Sequence, residues 1–332
     1  MKVVFFGATK GMGRALARRM AQRGDQLFLL GRNSDDLQRS ARDLEIRSGN
    51  RPGIAEKVPG QFAPKQLLFA HAAISDPATG RLLHDQRAAR AGLGIAEARQ
   101  AGTDVVIDDW LLKQTSNGYA ADIPAREFRL TFSFESRQGL LVEGERGYSR
   151  KGPRPEQASY YYSRPHLEVV GTIVLQGKRI GVKGEAWLDH EWSSEYLAPE
   201  ASGWDWIGVN LSGGAALMAF RIRDRSGASF WAGGTYRSAD GRVRVLQPGE
   251  IAFRPLRRWR SPRTGTEYPV AMQVRAADLA LDLEPLMDDQ ELDSRASTGT
   301  VYWEGAVRAR QDGKTVGLGY LELTGYWKPL KL

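Results

Sequence analysis

Six consecutive residues carry the densest chemistry in the chain: Trp187-Leu188-Asp189-His190-Glu191-Trp192. Two carboxylates, an imidazole and two indoles within one strand's length suit proton transfer to an apolar substrate. A carboxyl held away from water has a raised pKa and keeps its proton near neutral pH. An aromatic face stabilises positive charge that develops beside it. Side chains alternate along a strand, so Leu188, His190 and Trp192 share one face and Trp187, Asp189 and Glu191 the other. Only one of those faces can line a cavity. A plainer reading makes Asp189 or Glu191 the partner of a turn or an arginine, because structural ion networks also gather charges and aromatics.

Further candidates surround this segment. Trp204 and Trp206 share a face of the GWDW stretch and either floor a pocket or pack as ordinary tryptophans. Tyr160 and Tyr162 point to one side of their strand and Tyr161 to the other, so one of these hydroxyls could meet a ligand. His71 lies in the apolar run LLFAHAA and either faces a cavity or is hydrogen-bonded in the core. His71, His84, His166 and His190 show no ligand spacing, and there is no cysteine, so no metal site, disulfide or thiol nucleophile is expected.

The elements that must position these residues read as β-structure. From Gly171 the chain runs GTIVLQGKRIGVKGEAWLDHEW, and from Gly305 it runs GAVRARQDGKTVGLGYLELTGYW. Both segments have an opening glycine, an alternating run, a Gly-Lys turn (Gly177-Lys178, Gly313-Lys314), a second alternating run and a closing tryptophan (Trp192, Trp327). A repeated hairpin signature predicts two related β domains. Asn117-Gly118, Asp240-Gly241 and Asp312-Gly313 add hairpin dipeptides, and the 37 glycines fit turn-rich strands. At 332 residues the chain has room for two or three domains.

The first 45 residues read differently. A short apolar run ends at Gly7, and Gly7, Gly11 and Gly13 have the spacing that brings a backbone up to a pyrophosphate at a helix N-terminus. A helix with Met12, Leu16 and Met20 on one face, a strand at Gln26–Leu30 and a second helix with Leu37, Ala41 and Leu44 on one face complete the pattern. This resembles the start of a short-chain dehydrogenase/reductase, a Rossmann-like fragment, and Arg32 in place of the ribose-binding acid implies NADP(H) rather than NAD. The catalytic pattern of those enzymes, a tyrosine four residues before a lysine, occurs at none of the eleven tyrosines. Turn residues from Ser48 to Gly53 stand where a third parallel strand should begin. No bound cofactor is therefore expected, and an NADP(H)-dependent oxidoreductase is the third-ranked function.

From about Arg51 to Trp327 the chain resembles the AttH-like proteins, tandem lipocalin-like proteins related to the bacterial carotenoid hydratases (hydroxyneurosporene synthases). The segments that carry the resemblance are LLFAHAAISD, GYSRKG, ASYYYS, GEAWLDHEW, GWDW, YWEGAV and GYLELTGYW, in that order. It implies two lipocalin-like β-barrels with an apolar ligand, isoprenoid or lipid, held in a barrel or in the cleft between them. For the hydratases it implies addition of water to a terminal alkene of an acyclic carotenoid. The matching His-x-Trp pair places His190 and Trp192 inward, with Asp189 as the alternative proton donor at the rim. The strand after GWDW, Leu217-Met218-Ala219-Phe220-Arg221, lacks the acid the hydratases carry there, which favours a non-enzymatic carrier as the second reading. The Glu-Trp-Trp-Tyr strands that open this family are also missing, so the first barrel is expected to be incomplete and to need an edge covered.

The expected organisation is thus a fragment at 1–48, a first lipocalin-like domain at 49–197 and a second at 198–332. The net charge of +8 is concentrated at the start, with ten basic and five acidic residues among the first 50. A helix face of scattered arginines explains this better than a nucleic-acid site; contact with a membrane surface stays open. No apolar run approaches the roughly 20 residues of a membrane-spanning helix, and Val3–Phe6 is too short for a signal-peptide core, so a cytoplasmic or membrane-peripheral protein is expected.

Overall fold

The computed structural model describes residues 2–6, 11–31, 34–49, 51–55, 66–92, 94–99, 102–194 and 197–330. Its backbone forms two compact units, Met1–Gln66 and Leu67–Leu332.

The first unit runs β1 (Lys2–Phe6), α1 (Gly11–Gln22), β2 (Gln26–Leu30), α2 (Ser34–Ser48) and β3 (Gly53–Ala55), with the three strands parallel and β2 central. Helix α2 buries Leu37, Ala41 and Leu44, as its spacing predicts. Helix α1 instead buries Ala17 and Ala21 and leaves Leu16 exposed; two alanines four residues apart give a shallow face that packs close to Leu27 and Leu29. The third strand also departs from expectation. Gly53–Ala55 pairs with Phe28–Leu30 despite the turn residues before it. Glycine makes this possible, since a Cβ at Gly53 would stand 2.3 Å from the Phe28 ring. This pairing lies beyond residue 48, inside the first compact unit.

In the second unit every strand pairing is antiparallel. A hairpin of β4 (Leu67–Ile74) and β5 (Leu83–Arg90) precedes two large sheets. The first sheet comprises β6 (Ala96–Ala98), β7 (Asp104–Ile107), β8 (Trp110–Thr115), β9 (Gly118–Pro124), β10 (Phe128–Ser136), β11 (Leu141–Val142), β12 (Tyr148–Arg150), β13 (Ala158–Leu175) and β14 (Lys178–Trp192). The second comprises β15 (Ala201–Leu211), β16 (Ala216–Asp224), β17 (Ser229–Arg237), β18 (Val243–Leu246), β19 (Ile251–Arg260), β20 (Glu267–Ala276), β21 (Leu279–Pro285), β22 (Glu291–Asp293), β23 (Val301–Gln311) and β24 (Lys314–Leu323).

The repeated sequence signature is the hairpin β13–β14 and its counterpart β23–β24. Their turns have matching backbones, with φ of 52° and 75° at Gln176 and Gly177 and of 51° and 75° at Asp312 and Gly313. Two left-handed central residues make the tight turn that suits strands of right-handed twist.

The second sheet curls around a single core that includes Ile207, Leu217, Met272, Trp303 and Leu321. Leu246 of β18 and Phe253 of β19, from opposite ends of the sheet order, share that core. No hydrogen-bonded ladder joins those two ends among the described strands, so this is a curled sheet and not the closed barrel expected. The first sheet encloses Ile107, Trp110 and Phe128 together with Leu68, Ala72 and Leu83 of the β4–β5 hairpin. That hairpin lies over β6 and β7 at the end of the sheet, supplying the cover predicted to be needed. It also ties to the second sheet, where Leu82 N–H donates to the Asp289 carbonyl (2.8 Å) and Gln86 Nε2 to the Asp293 carbonyl (2.9 Å). No described helix is long and apolar enough to cross a membrane.

Trp303 is fully buried in the second core, and its indole N–H donates to the Asp288 carbonyl at 2.8 Å. Trp303→Ala is therefore expected to lower the free energy of unfolding by about 3–5 kcal/mol. Urea denaturation checks this, and a loss within about 0.5 kcal/mol, as for a surface change, would contradict a packed interior.

Candidate active site between the two sheets

With the concave faces filled, the chemistry collects where the outer face of the β13–β14 hairpin meets the outer face of β15, β24 and β23. Cross-strand register sets the first wall. Tyr161 stands opposite Glu191 and Ser163 opposite Asp189, while Tyr160 faces Trp192 and Tyr162 faces His190 on the other side of the sheet. On the second wall, Trp206, Glu322 and Glu304 form one row across three strands, and Gly208, Tyr320 and Ala306 form the next. Between the walls lies a chamber of about 220 Å³ bounded by Lys151, Tyr161, Asp189, Glu191, Leu197, Trp204, Trp206, Phe220, Ile222 and Glu322. Beside it a cleft of about 1030 Å³ is paved by Gly184, Gly208, Gly317 and Gly319, and Asp189 and Trp206 border both spaces. Gly208 is required here, since a Cβ would lie 2.5 Å from the Trp206 ring and 2.9 Å from that of Trp187.

Five carboxyl groups gather at this junction, and Lys151 is the cation in the chamber wall. Lys151 Nζ is 2.8 Å from Glu191 and 4.0 Å from the centre of the Phe220 ring. Asp189 receives hydrogen bonds from Ser163 Oγ (2.6 Å) and Trp187 Nε1 (2.7 Å), and from the Tyr161 hydroxyl, which in turn accepts from Trp206 Nε1 at 3.1 Å. Burial of its carboxyl outweighs these donors and pushes Asp189 up to about 6, although the residue keeps open surface toward the cleft. Glu143, wholly buried behind Asp189, is pushed up to about 8 by burial. Glu304 and Glu322 are directly opposite on neighbouring strands, which brings like charges to Cβ distances of about 5 Å. Burial and the charge of neighbouring carboxylates raise both carboxyls, which opposes ionising the two together near neutral pH.

The predicted residues distribute over both faces. Asp189, Glu191, Trp204 and Trp206 line the chamber. His190 and Trp192, expected to point inward, line neither space: register turns them to the opposite face, where the His190 ring nitrogen Nδ1 is 2.9 Å from the Tyr162 hydroxyl and Trp192 stacks on Tyr160. Tyr160 and Tyr162 therefore belong to that second aromatic cluster, and Tyr161, between them, is the tyrosine that reaches the chamber. His71 is held by Tyr302 and Ser297, each at 2.8 Å, so its hydrogen-bonded core role is the one observed. Gly7 and Arg32 lie outside the described residues, and Gly11 and Gly13 fall in the first turn of α1. Among the described residues no group of three or more His, Asp or Glu is arranged to hold a metal ion.

Residues 45–326 match the AttH-like family. The chain belongs to that family. An AttH-group protein of Nitrosomonas europaea, solved by crystallography, is 54% identical with a TM-score of 0.77, over 80% of this chain and 84% of that one. Kievitone hydratase from Nectria haematococca shares the fold at 18% identity and a TM-score of 0.61, over 78% of this chain and 80% of its own. No curated protein matches. The AttH-like match begins at residue 45, and nothing in these comparisons supports a dinucleotide-binding identity for the residues before it.

Glu143, Glu304, Glu322 and Lys151 are the residues around this candidate site that sequence reasoning missed. Glu304 and Glu322 sit inside the YWEGAV and GYLELTGYW segments, each two residues from a tyrosine on its own strand. An acid alternating with aromatics on an otherwise apolar strand was the available signal. Glu143, between two short strands, offered none.

Glu143 gives a pH test of this electrostatic arrangement. Its pKa in the fold lies above the ordinary 4.5, so its contribution to stability is complete below that value and is lost as pH rises through about 8. Relative to Glu143→Gln, the natural protein should lose about 1.4 kcal/mol of stability per pH unit across that window. Melting temperatures of both proteins, followed from acid to mildly alkaline pH, read this directly; parallel curves would show that Glu143 ionises in the fold as it does unfolded.

Proposed function

We propose that this AttH-like protein is a hydratase-type lyase acting on an apolar, alkene-bearing ligand of isoprenoid or polyene character. The observation that carries the reading is the position of Asp189, a carboxyl with a raised pKa at the meeting point of a roomy cleft and a small aromatic chamber. The cleft accepts the ligand body on its glycine floor, and the chamber takes the reacting end. Asp189 donates its proton to the terminal alkene carbon, forming the C–H bond and leaving a cation on the substituted carbon. The faces of Trp204, Trp206 and Phe220 stabilise that cation. Water, positioned by Glu322 on the opposite wall, forms the C–O bond, and its surplus proton returns to Asp189. Alkene and water are consumed and an alcohol is produced, with the acid regenerated. The fold shared with a hydratase supports this assignment.

The missing acid after GWDW favours a non-enzymatic carrier, whereas Glu304 and Glu322, paired across β23 and β24, support the hydratase reading by supplying acids from other strands. A site that only stores an apolar molecule gains nothing from buried carboxyls, each of which costs desolvation energy.

Incubation with an acyclic carotenoid in ¹⁸O-labelled water, followed by mass spectrometry, is the direct test. The expected product carries one labelled hydroxyl per hydrated alkene. Asp189→Asn should lower turnover by about 100-fold or more, the usual contribution of a general acid, with ligand binding measured by tryptophan quenching retained. Saturable binding with no hydrated product would instead establish the carrier.

A further inference from the structure

Ser163 occupies a position that simple hydrogen-bond accounting cannot leave static. Its hydroxyl is fully buried, 2.8 Å from Glu143 Oε1 and 2.6 Å from Asp189 Oδ1. A hydroxyl carries one proton. With both acids ionised it could donate to only one of them, and the other would press a charged oxygen against a lone pair of the buried hydroxyl. One added proton resolves the conflict in either of two ways. Glu143 can hold it and donate to Ser163, which donates to Asp189, or Asp189 can hold it and the line of donation reverses.

From this geometry we infer that Glu143, Ser163 and Asp189 form a proton relay, in which Ser163 passes to Asp189 a proton stored on Glu143. The inference rests on the hydratase reading for its purpose and on the two hydrogen bonds for its existence. In the transfer the Glu143 O–H bond breaks as a Ser163 O–H bond forms, and the original Ser163 O–H bond breaks as an Asp189 O–H bond forms. After water has added to the substrate, the proton it releases returns to Asp189 and travels back. No proton is gained or lost over the cycle.

Storage on Glu143 has a physical reason. Asp189 keeps surface open to the cleft, where solvent can remove its proton. Glu143 is wholly enclosed, with the Ser163 and Thr235 hydroxyls as its hydrogen-bonding neighbours and, among the described residues, no cation paired to it, as suits an acid that spends its time neutral. The charged or titratable groups around it are Asp189 and Glu191 on β14, Tyr161 on β13, Lys151, and Arg237 on β17. Lys151 is committed to Glu191, and Arg237 hydrogen-bonds Gln138 and the Gly139 carbonyl, so neither is paired with Glu143. The raised pKa values of the two acids, about 8 and about 6, are in the order a store and a donor require. Ser163 and Glu143 touch no substrate and are positioning residues.

The test uses the full-length protein with ¹³C-labelled carboxyl groups. In the natural protein the Asp189 and Glu143 resonances, assigned with Asp189→Asn and Glu143→Gln, should each show both titration steps, the mark of two acids that titrate as a coupled pair. Ser163→Ala should separate them into one step each, and Ser163→Thr, which keeps the hydroxyl, should restore the shared pattern. Shared steps that persist in Ser163→Ala, or separate steps in the natural protein, overturn the relay. With an active substrate in hand, Ser163→Ala should lower kcat roughly tenfold at unchanged KM, and its alkaline limit should fall below the pH of about 8 that Glu143 sets in the natural protein. Shared titration without any turnover would leave the relay standing and remove the hydratase reading.

Discussion

Five carboxyl groups packed between two sheets, with Lys151 as the cation in the chamber wall, set the terms for the rest of this molecule. Coulomb repulsion and loss of water both oppose ionising all of them. The carboxyls respond with raised pKa values: burial and neighbouring carboxylates lift Glu304 and Glu322, and burial lifts Glu143 behind Asp189. Raised carboxyl pKa values beside aromatic walls fit the protonation of carbon proposed above, because a neutral acid near an apolar double bond is unfavourable to build and useful once built.

The architecture explains why such a site can exist between sheets and not inside one. Each sheet buries its concave face, the second around Trp303 and Met272, the first around Trp110 and the β4–β5 hairpin. The convex faces of β13–β14 and β15–β24–β23 are then free to meet. Only part of their contact is dry, through Tyr161, Met218, Phe220 and the tryptophans at 187, 204 and 206. The remainder is the glycine-paved cleft. His166 crosses it with its backbone N–H on Asn210 Oδ1 at 3.0 Å and its ring on the Ala215 carbonyl at 2.8 Å. A bulge on β13 just before Leu167 makes that reach possible.

Much of this was legible in the residues. The duplicated hairpin, the second helix of the first unit and the concentration of chemistry at Trp187–Trp192 all follow from periodicity and turn chemistry. What periodicity could not decide was the face. Strands β13 and β14 place useful side chains on both sides, and alternation says that His190 and Asp189 point apart without saying which one meets the cavity. That choice belongs to the packing of one sheet on another, which involves residues more than a hundred positions away. The same limit hid Glu322 and Glu304. Only the register sets them side by side next to Trp206.

The GWDW segment holds the contrast that separates a structural carboxylate from a chemical one. Trp204 and Trp206 turn toward the chamber, and Asp205, between them, turns the other way and is fully buried. There it meets Arg221 Nε at 3.0 Å, Arg223 Nε at 3.1 Å and the Tyr326 hydroxyl at 2.9 Å. Two guanidiniums for one carboxylate make a fixed ionic joint that is costly to break. An acid kept for structure in this fold is thus supplied with cations in excess. Asp189, Glu143, Glu304 and Glu322 lie on the other side of the same sheet or across the cleft from it, and they have hydroxyls, indoles and one another as neighbours. Had they been built to hold the sheets together, the arginines that serve Asp205 show the chain had the means to pair them.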